Sequence, residues 1–305
     1  MRNVFANTFF EAGCDDERLC VVVADISPAG SISKFREKFP ARFINTGCAE
    51  QAMIGICAGM ALRGLRPFAY TIATFALFRP YEFVRDDLCY QNLPVTVVGI
   101  GGGVNYSTLG ATHQAVEDVI LAATLPNMQV LAPCDPAEVR EATLWCAKQN
   151  GGPAYMRLAR AGEPVLTADA VDPWRFGKLR YLRRGTDICL LAYGSVMKIV
   201  LAAADRLKAQ GRSVSVVSAH TIKPLDVDGM RKVLANHRQV AVIEETMPNG
   251  GLAGRIKQIA WDDRARCRID TFTLKDEFVH CYGSYEQVLE AHGLSADAIL
   301  AGFAA

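Results

Sequence analysis

The sequence predicts an α/β protein of two consecutive doubly wound domains, built on parallel sheets with helices on both faces, the second sheet mixed but mostly parallel. Three observations carry that expectation. Short, almost wholly apolar runs recur along the 305 residues, as strands buried on both faces require. Segments of helical length lie between them, the alternation that builds parallel sheets with right-handed crossovers. A stretch with two prolines and little periodicity, Gly162 to Pro173, separates the runs into two sets and reads as a linker. The domains are therefore expected at 1–165 and 174–305.

The elements follow in order. Leu19 to Ala24 (LCVVVA) is the first buried strand, and a short strand is expected at Arg42 to Asn45 ahead of a glycine turn. Gln51 to Leu62 has helical length. Pro94 to Ile100, Met128 to Leu131 and Ala154 to Leu158 complete the first set, with a helix at Pro136 to Lys148 between the last two. The second set is Ile188 to Ala192, Val214 to Ser218, Val240 to Ile243 and Arg268 to Phe272, with helices at Val196 to Gln210 and Gly251 to Trp261.

Composition excludes several classes of function. Half of the residues are hydrophobic and 21% are charged, with a net charge of +1. Such a balance gives no basic field for nucleic acid or an anionic membrane. No apolar run reaches the roughly 18 to 20 residues of a membrane helix, and the first residues lack a signal core. The ten cysteines have neither C-x-x-C nor zinc spacing. Reduced thiols packed as small hydrophobes suit a cytoplasmic protein.

Four segments could carry chemistry. Gly99 to Gly103 follows a strand, but a dinucleotide fingerprint would need glycine at Val104; the run suits either a ligand-facing turn or a tight structural one. In RFINTGCAEQ, Glu50 falls at a helix N-terminus, where a carboxylate complements the helix dipole or takes part in catalysis. The helix beyond it carries Ala52, Gly55, Ala58, Gly59 and Ala61. Interior glycine costs about 1 kcal/mol against alanine, so close approach of another backbone is expected there, within the chain or across a subunit interface. Phe75, Phe78 and Tyr81, three apart, suit a core stripe or a flat pocket for a heteroaromatic ring. His113, in GATHQ, is one of five histidines and suits a structural or a substrate-facing role.

Taken together and in this order, these segments resemble the transketolase family over almost the whole chain. The resemblance rests on RFINTGCAEQAMIGICAGMALRGLRPF, TFALFRPYEFVRDDLCYQNLPV, LGATHQAVED and LPNMQVLAPCDPAEV, and in the second half on GTDICLLAYGSV, HTIKPLD and VIEETMPNGGLAGRI. It implies a pyrimidine-binding domain followed by the family's carboxyl-terminal domain, and dependence on thiamine diphosphate, a carbanion stabiliser that the protein positions. Glu50 matches the glutamate that hydrogen-bonds the aminopyrimidine nitrogen. Phe75, Phe78 and Tyr81 would surround the pyrimidine, and Asp25 would lie near the cofactor. His113 would face the reacting carbonyl of the donor, and Arg2 and Arg160 match positions that contact an acceptor's phosphate.

The family's G-D-G motif with its metal-binding asparagine is absent, so no metal ligand is expected in this chain. The resemblance then implies the carboxyl-terminal subunit of a split transketolase. A separate amino-terminal subunit would bind the pyrophosphate and Mg2+, in a two-plus-two heterotetramer. The expected reaction transfers a two-carbon ketol unit from a sugar or sugar phosphate to an aldehyde. Departures bear on the donor. A His-Asp pair and an acidic residue of the family stand here as Gly101-Gly102 and Leu109, and a phosphate-contacting serine falls on Ala29. Decarboxylation of a 2-oxo acid such as pyruvate stays open as an alternative, as does a non-catalytic regulatory subunit. His220 receives no role.

Overall fold

A computed structural model describes residues 1–25, 32–149 and 151–303; the position of Ala29 lies outside them. Among the described residues, twelve strands form two sheets. They are β1 (Leu19–Val23), β2 (Phe43–Asn45), β3 (Arg66–Ile72), β4 (Thr96–Ile100), β5 (Gln129–Leu131), β6 (Ala154–Leu158), β7 (Arg180–Arg183), β8 (Ile188–Ala192), β9 (Val214–Ser218), β10 (Thr221–Lys223), β11 (Gln239–Ile243) and β12 (Arg268–Phe272). The first sheet runs β10-β5-β6-β4-β3-β1-β2 and the second β12-β11-β8-β9-β7. Every pairing is parallel except those of the two late additions: β10 is antiparallel to β5 and β7 is antiparallel to β9.

Helices cover both faces because strand residues alternate between two cores. Val22, Val97 and Tyr155 turn to one side of the first sheet, where the core continues into Cys189, Leu191 and Val242 of the second. Val21, Val98 and Met156 turn to the other side and pack with Phe5, Phe9, Val139 and Ala142. Those last four come from the helices Arg2–Asp15 and Pro136–Lys148. A third core joins Ile188, Leu190 and Val216 to Met197, Val200 and Leu207 of the helix Met197–Ala209.

Several elements lack a sequence signature. Helix Arg2–Asp15 is one; its Phe9 ring lies 4.8 Å from both Phe35 and Phe68. Strand β3 is central yet begins with Arg66 and Pro67, which breaks the apolar pattern. The Arg66 guanidinium donates to the carbonyls of Ala147 and Gln149, and the missing N–H of Pro67 falls near the strand start, where sheets tolerate it. Strands β7 and β10 are short and carry charged residues.

The second of these, β10, comes from the later part of the chain but completes the first sheet. Polar ties reinforce this stitching. Asp135 caps the helix Pro136–Lys148 through the amide of Glu138 and also accepts from the amides of Leu166 and Thr167 in the connecting segment. Glu138, fully buried, accepts from Arg180 of β7 and Ser218 of β9. His220 is structural in its contacts: it stacks on Trp174 at 4.9 Å, bonds the hydroxyl of Thr221, and burial holds it below the ordinary imidazole range.

Candidate functional site

The ends of β1 and β2 and the start of the helix Glu50–Leu62 meet at one edge of the first sheet. The side chain of Asn45 organises the turn by accepting from the amides of Asp25 and Gly47. Asp25 takes a left-handed φ of 45° and Gly47 one of 68°, conformations that short polar residues and glycine adopt most readily. The Cys48 thiol points at Asp25, 3.5 Å from its carboxylate, and that hydrogen bond pushes the thiol up from its ordinary range.

Glu50 opens the helix and is 2% exposed. Both of its carboxylate oxygens accept from Nη1 of Arg79, at 3.0 and 3.1 Å. Arg79 is half exposed and lies over the Phe75 ring at 4.1 Å. Phe75 in turn meets His113 edge-on at 5.2 Å, and His113 meets Tyr106 at 6.3 Å. The chain of contacts ends at Arg160, 5.4 Å from the Tyr106 ring. The amide of Arg2 donates to the carbonyl of Arg160, which ties the amino-terminal helix to the same place. Burial pushes the Tyr106 phenol up, partly offset by the guanidiniums of Arg2 and Arg160.

Most of the residues singled out in the sequence thus gather in one continuous arc: Asp25, Glu50, Phe75, His113, Arg160 and Arg2. Gly101 belongs to it because a methyl group there would lie 2.1 Å from the Tyr106 ring. Leu109 is about half exposed and sits at the outer end of the His113 loop. Phe78 and Tyr81 stand apart: both pack on the core shared by the two sheets, and the Tyr81 hydroxyl bonds the carbonyl of Leu121 and the hydroxyl of Thr124. The helix Ala73–Leu77 ends before Phe78, and Tyr81 begins a separate short helix, Tyr81–Phe83, so the three rings do not share one helical face and only Phe75 lies beside Arg79 and His113.

Arg79 and Tyr106 complete the arc and carry no signal in the sequence. Each is an ordinary residue in its segment, and only the fold brings it to Glu50 or to Arg160. The glycine run is also explained. Methyl groups at Gly102 and Gly103 would lie 2.4 Å and 2.2 Å from the Arg157 guanidinium, so the chain's own buried arginine fills the space beside both. The glycines of the Glu50 helix differ: a methyl at Gly55 or Gly59 would meet nothing within 4 Å. No other backbone of the described chain approaches them, and this face, with Ala52 and Ile56, is open. Among the described residues no group of His, Cys, Asp and Glu could hold a metal ion, and no helix is long and apolar enough to cross a membrane.

Comparison with known proteins shows the family of the chain. A family model described as transketolase, pyrimidine binding domain, matches residues 1–162, and one described as transketolase, C-terminal domain, matches residues 177–299. The chain is 30% identical to one subunit of the apulose-4-phosphate transketolase of Actinobacillus succinogenes, over 98% of this chain and 96% of that one. It is 31% identical to 1-deoxy-D-xylulose-5-phosphate synthase of Symbiobacterium thermophilum, of which it spans 45%. A solved structure described as a split gene transketolase, inactive beta4 tetramer, superposes with a TM-score of 0.88 at 32% identity, over 98% of this chain and 95% of that one.

Proposed function

This chain belongs to the transketolase family, and on that footing we propose that it is the catalytic-glutamate subunit of a two-chain, thiamine diphosphate-dependent transketolase. It would transfer a two-carbon ketol unit from a ketose to an aldehyde. An amino-terminal partner subunit would hold the diphosphate and Mg2+, in a two-plus-two assembly. The open face of the Glu50 helix supports such a partner, and the ten unpaired cysteines support a reducing, cytoplasmic setting.

The observation that carries the reading is the environment of Glu50. A buried carboxylate has one charged partner, and that partner is a planar cation lying on an aromatic ring. The guanidinium of Arg79 occupies the geometry that a protonatable heterocycle would take between Glu50 and Phe75. The residues therefore fit an aminopyrimidine, which would displace Arg79 outward. Thiamine diphosphate supplies the carbanion stabilisation when bound. Glu50 would share a proton with a ring nitrogen at its carboxylate oxygens. Phe75 would fix the plane of the ring, and Asp25 would border the cofactor beside Cys48. His113, held by Thr112 through Nδ1 at 2.9 Å, would address the donor's carbonyl. Arg160 and Arg2 would receive an anionic group on the acceptor.

Leu109 supports the second reading, since a leucine cannot bond a donor hydroxyl: a 2-oxo acid such as pyruvate would then be decarboxylated. The test is turnover of the chain mixed with its partner subunit, thiamine diphosphate and Mg2+, using ketose donors and pyruvate in parallel. Ketol transfer without release of carbon dioxide supports the first reading, and carbon dioxide from pyruvate supports the second. Glu50→Ala is expected to abolish either; turnover near wild type in that variant would overturn the role of Glu50. Activity of the partner alone would favour a regulatory subunit.

A further inference from the structure

A buried polar cluster joins Glu245 and Tyr285 of the second half of the chain to the loop that carries Tyr106 and His113. Glu245 follows strand β11 and is 2% exposed. Its Oε1 accepts from the amide of Val104 at 2.6 Å, and its Oε2 accepts from the hydroxyl of Tyr285 at 2.9 Å. Its backbone carbonyl accepts from Nη2 of Arg157 at 3.0 Å. The other arm of Arg157 reaches Asp118, which also accepts from the Tyr155 hydroxyl at 2.7 Å. A methyl at Gly103 would lie 2.3 Å from the Glu245 carboxyl carbon. The last two glycines of the run are therefore fitted to Arg157 and Glu245.

We propose that Glu245 is a positioning residue, latching the 101–113 loop across the two halves of the chain so that Tyr106 and His113 keep their places in the site. Other anchors fix the loop's base: the amides of Gly101 and Gly102 donate to the carbonyl of Leu158, and Gly103 pairs with Ala115. Just beyond them the amide of Val104, a residue with no exposure, takes its partner from the other half of the chain. A buried amide without a partner is costly, so losing the carboxyl group opens the loop at that point. The inference rests on the proposed function only where turnover is read.

The latch is sensitive to protonation, and its sign follows from its surroundings. Facing Glu245 are the Arg157 guanidinium, the Asp118 carboxyl, the Tyr285 hydroxyl and the Val104 amide; the neighbouring Glu244 points away, to Tyr193 and the amides of Leu252 and Ala253. Burial pushes Glu245 up to about 7, with Arg157 opposing. An opened loop exposes the group to water and returns it toward its ordinary range. Opening is thus linked to proton release, and it becomes easier as pH rises toward 7. The neutral acid keeps both contacts, with its carbonyl oxygen accepting from Val104 and its hydroxyl donating to Tyr285. Glutamine can do the same.

The experiment is amide hydrogen exchange of residues 101–113 in the chain and its variants, with kcat of the holoenzyme measured alongside. In wild type, exchange corrected for its intrinsic pH dependence should accelerate from about pH 5 to about pH 7. Glu245→Gln should keep the loop protected and abolish that acceleration. Glu245→Ala and the milder Tyr285→Phe should each raise exchange about tenfold, on the scale of one buried hydrogen bond, and lower kcat. Wild-type loop exchange in Tyr285→Phe and Glu245→Ala, or an unchanged pH response in Glu245→Gln, would overturn the latch. An active Glu50→Ala enzyme would overturn the proposed function instead, and exchange would still judge the latch.

Discussion

Replacing Gly103 by alanine isolates what the packing against Arg157 and Glu245 contributes. Gly103 has a φ of +65° and Gly194 one of +66°, so the backbone strain of an added side chain is nearly the same at both. That strain is about 1–2 kcal/mol, reduced by roughly 0.4–1 kcal/mol because alanine stiffens the unfolded chain. At Gly194 a methyl would meet nothing within 4 Å, and a net loss of about 1 kcal/mol is expected. At Gly103 it would lie 2.2 Å from Nη2 of Arg157 and 2.3 Å from Oε1 of Glu245. Neither group can retreat, since each is buried and cross-bonded. Overpacking adds about 1–3 kcal/mol, and displacing Glu245 from Val104 adds about 1–3 kcal/mol more. The expected difference between Gly103→Ala and Gly194→Ala is therefore about 2–4 kcal/mol even if part of the strain relaxes, a large share of a typical folding stability of about 5–15 kcal/mol. Urea unfolding of the two variants at equal protein concentration measures it. Equal destabilisation, within about 0.5 kcal/mol, would mean that the loop does not close on Arg157 and Glu245 in solution.

Two other outcomes are expected. The wild-type chain should lose stability as pH rises from the ordinary glutamate value of 4.5 to about 7: the folded form holds the Glu245 proton more tightly than the unfolded form, so the contribution is complete below 4.5 and gone above about 7. At about 1.4 kcal/mol per pH interval of one, the contribution is on the order of 3 kcal/mol, and unfolding curves of Glu245→Gln across that window should lack it. Gly55→Ala should stabilise the isolated chain by up to about 1 kcal/mol, because its helix is open there, yet weaken association with the partner subunit; thermal melting and sedimentation of the mixture read the two effects, and unaltered assembly would argue against an interface on that face.

The parts of this molecule that are legible in its sequence are those set by local composition. Strands β6, β8, β9 and β12 fall where apolar or β-branched runs are bounded by turn residues, and the helix Pro136–Lys148 begins at the proline behind its Asp135 cap. Strand β3 is illegible because Arg66 satisfies its charge through carbonyls more than eighty positions away. Glu50 and His113 can be singled out by their motifs, but Arg79 and Tyr106 have no local signal. Glu245 is less legible still: its contact with Val104 spans 141 positions, and in the sequence it is one acidic residue beside another. The glycine run is visible, but its physical reason, the bulk of Arg157, lies on a different strand.

The placement of β10 has a consequence for anyone wishing to take the molecule apart. A protein cut in the Gly162 to Pro173 connection would leave β5 with β6 on one side and bare amides and carbonyls on the other, since its second neighbour would depart with the excised fragment. A naked edge of this kind recruits foreign strands. The fragment would in turn carry an orphaned three-residue ribbon beside His220. Modular though the chain looks on paper, its halves are expected to be expressed, and to denature, as a single cooperative unit.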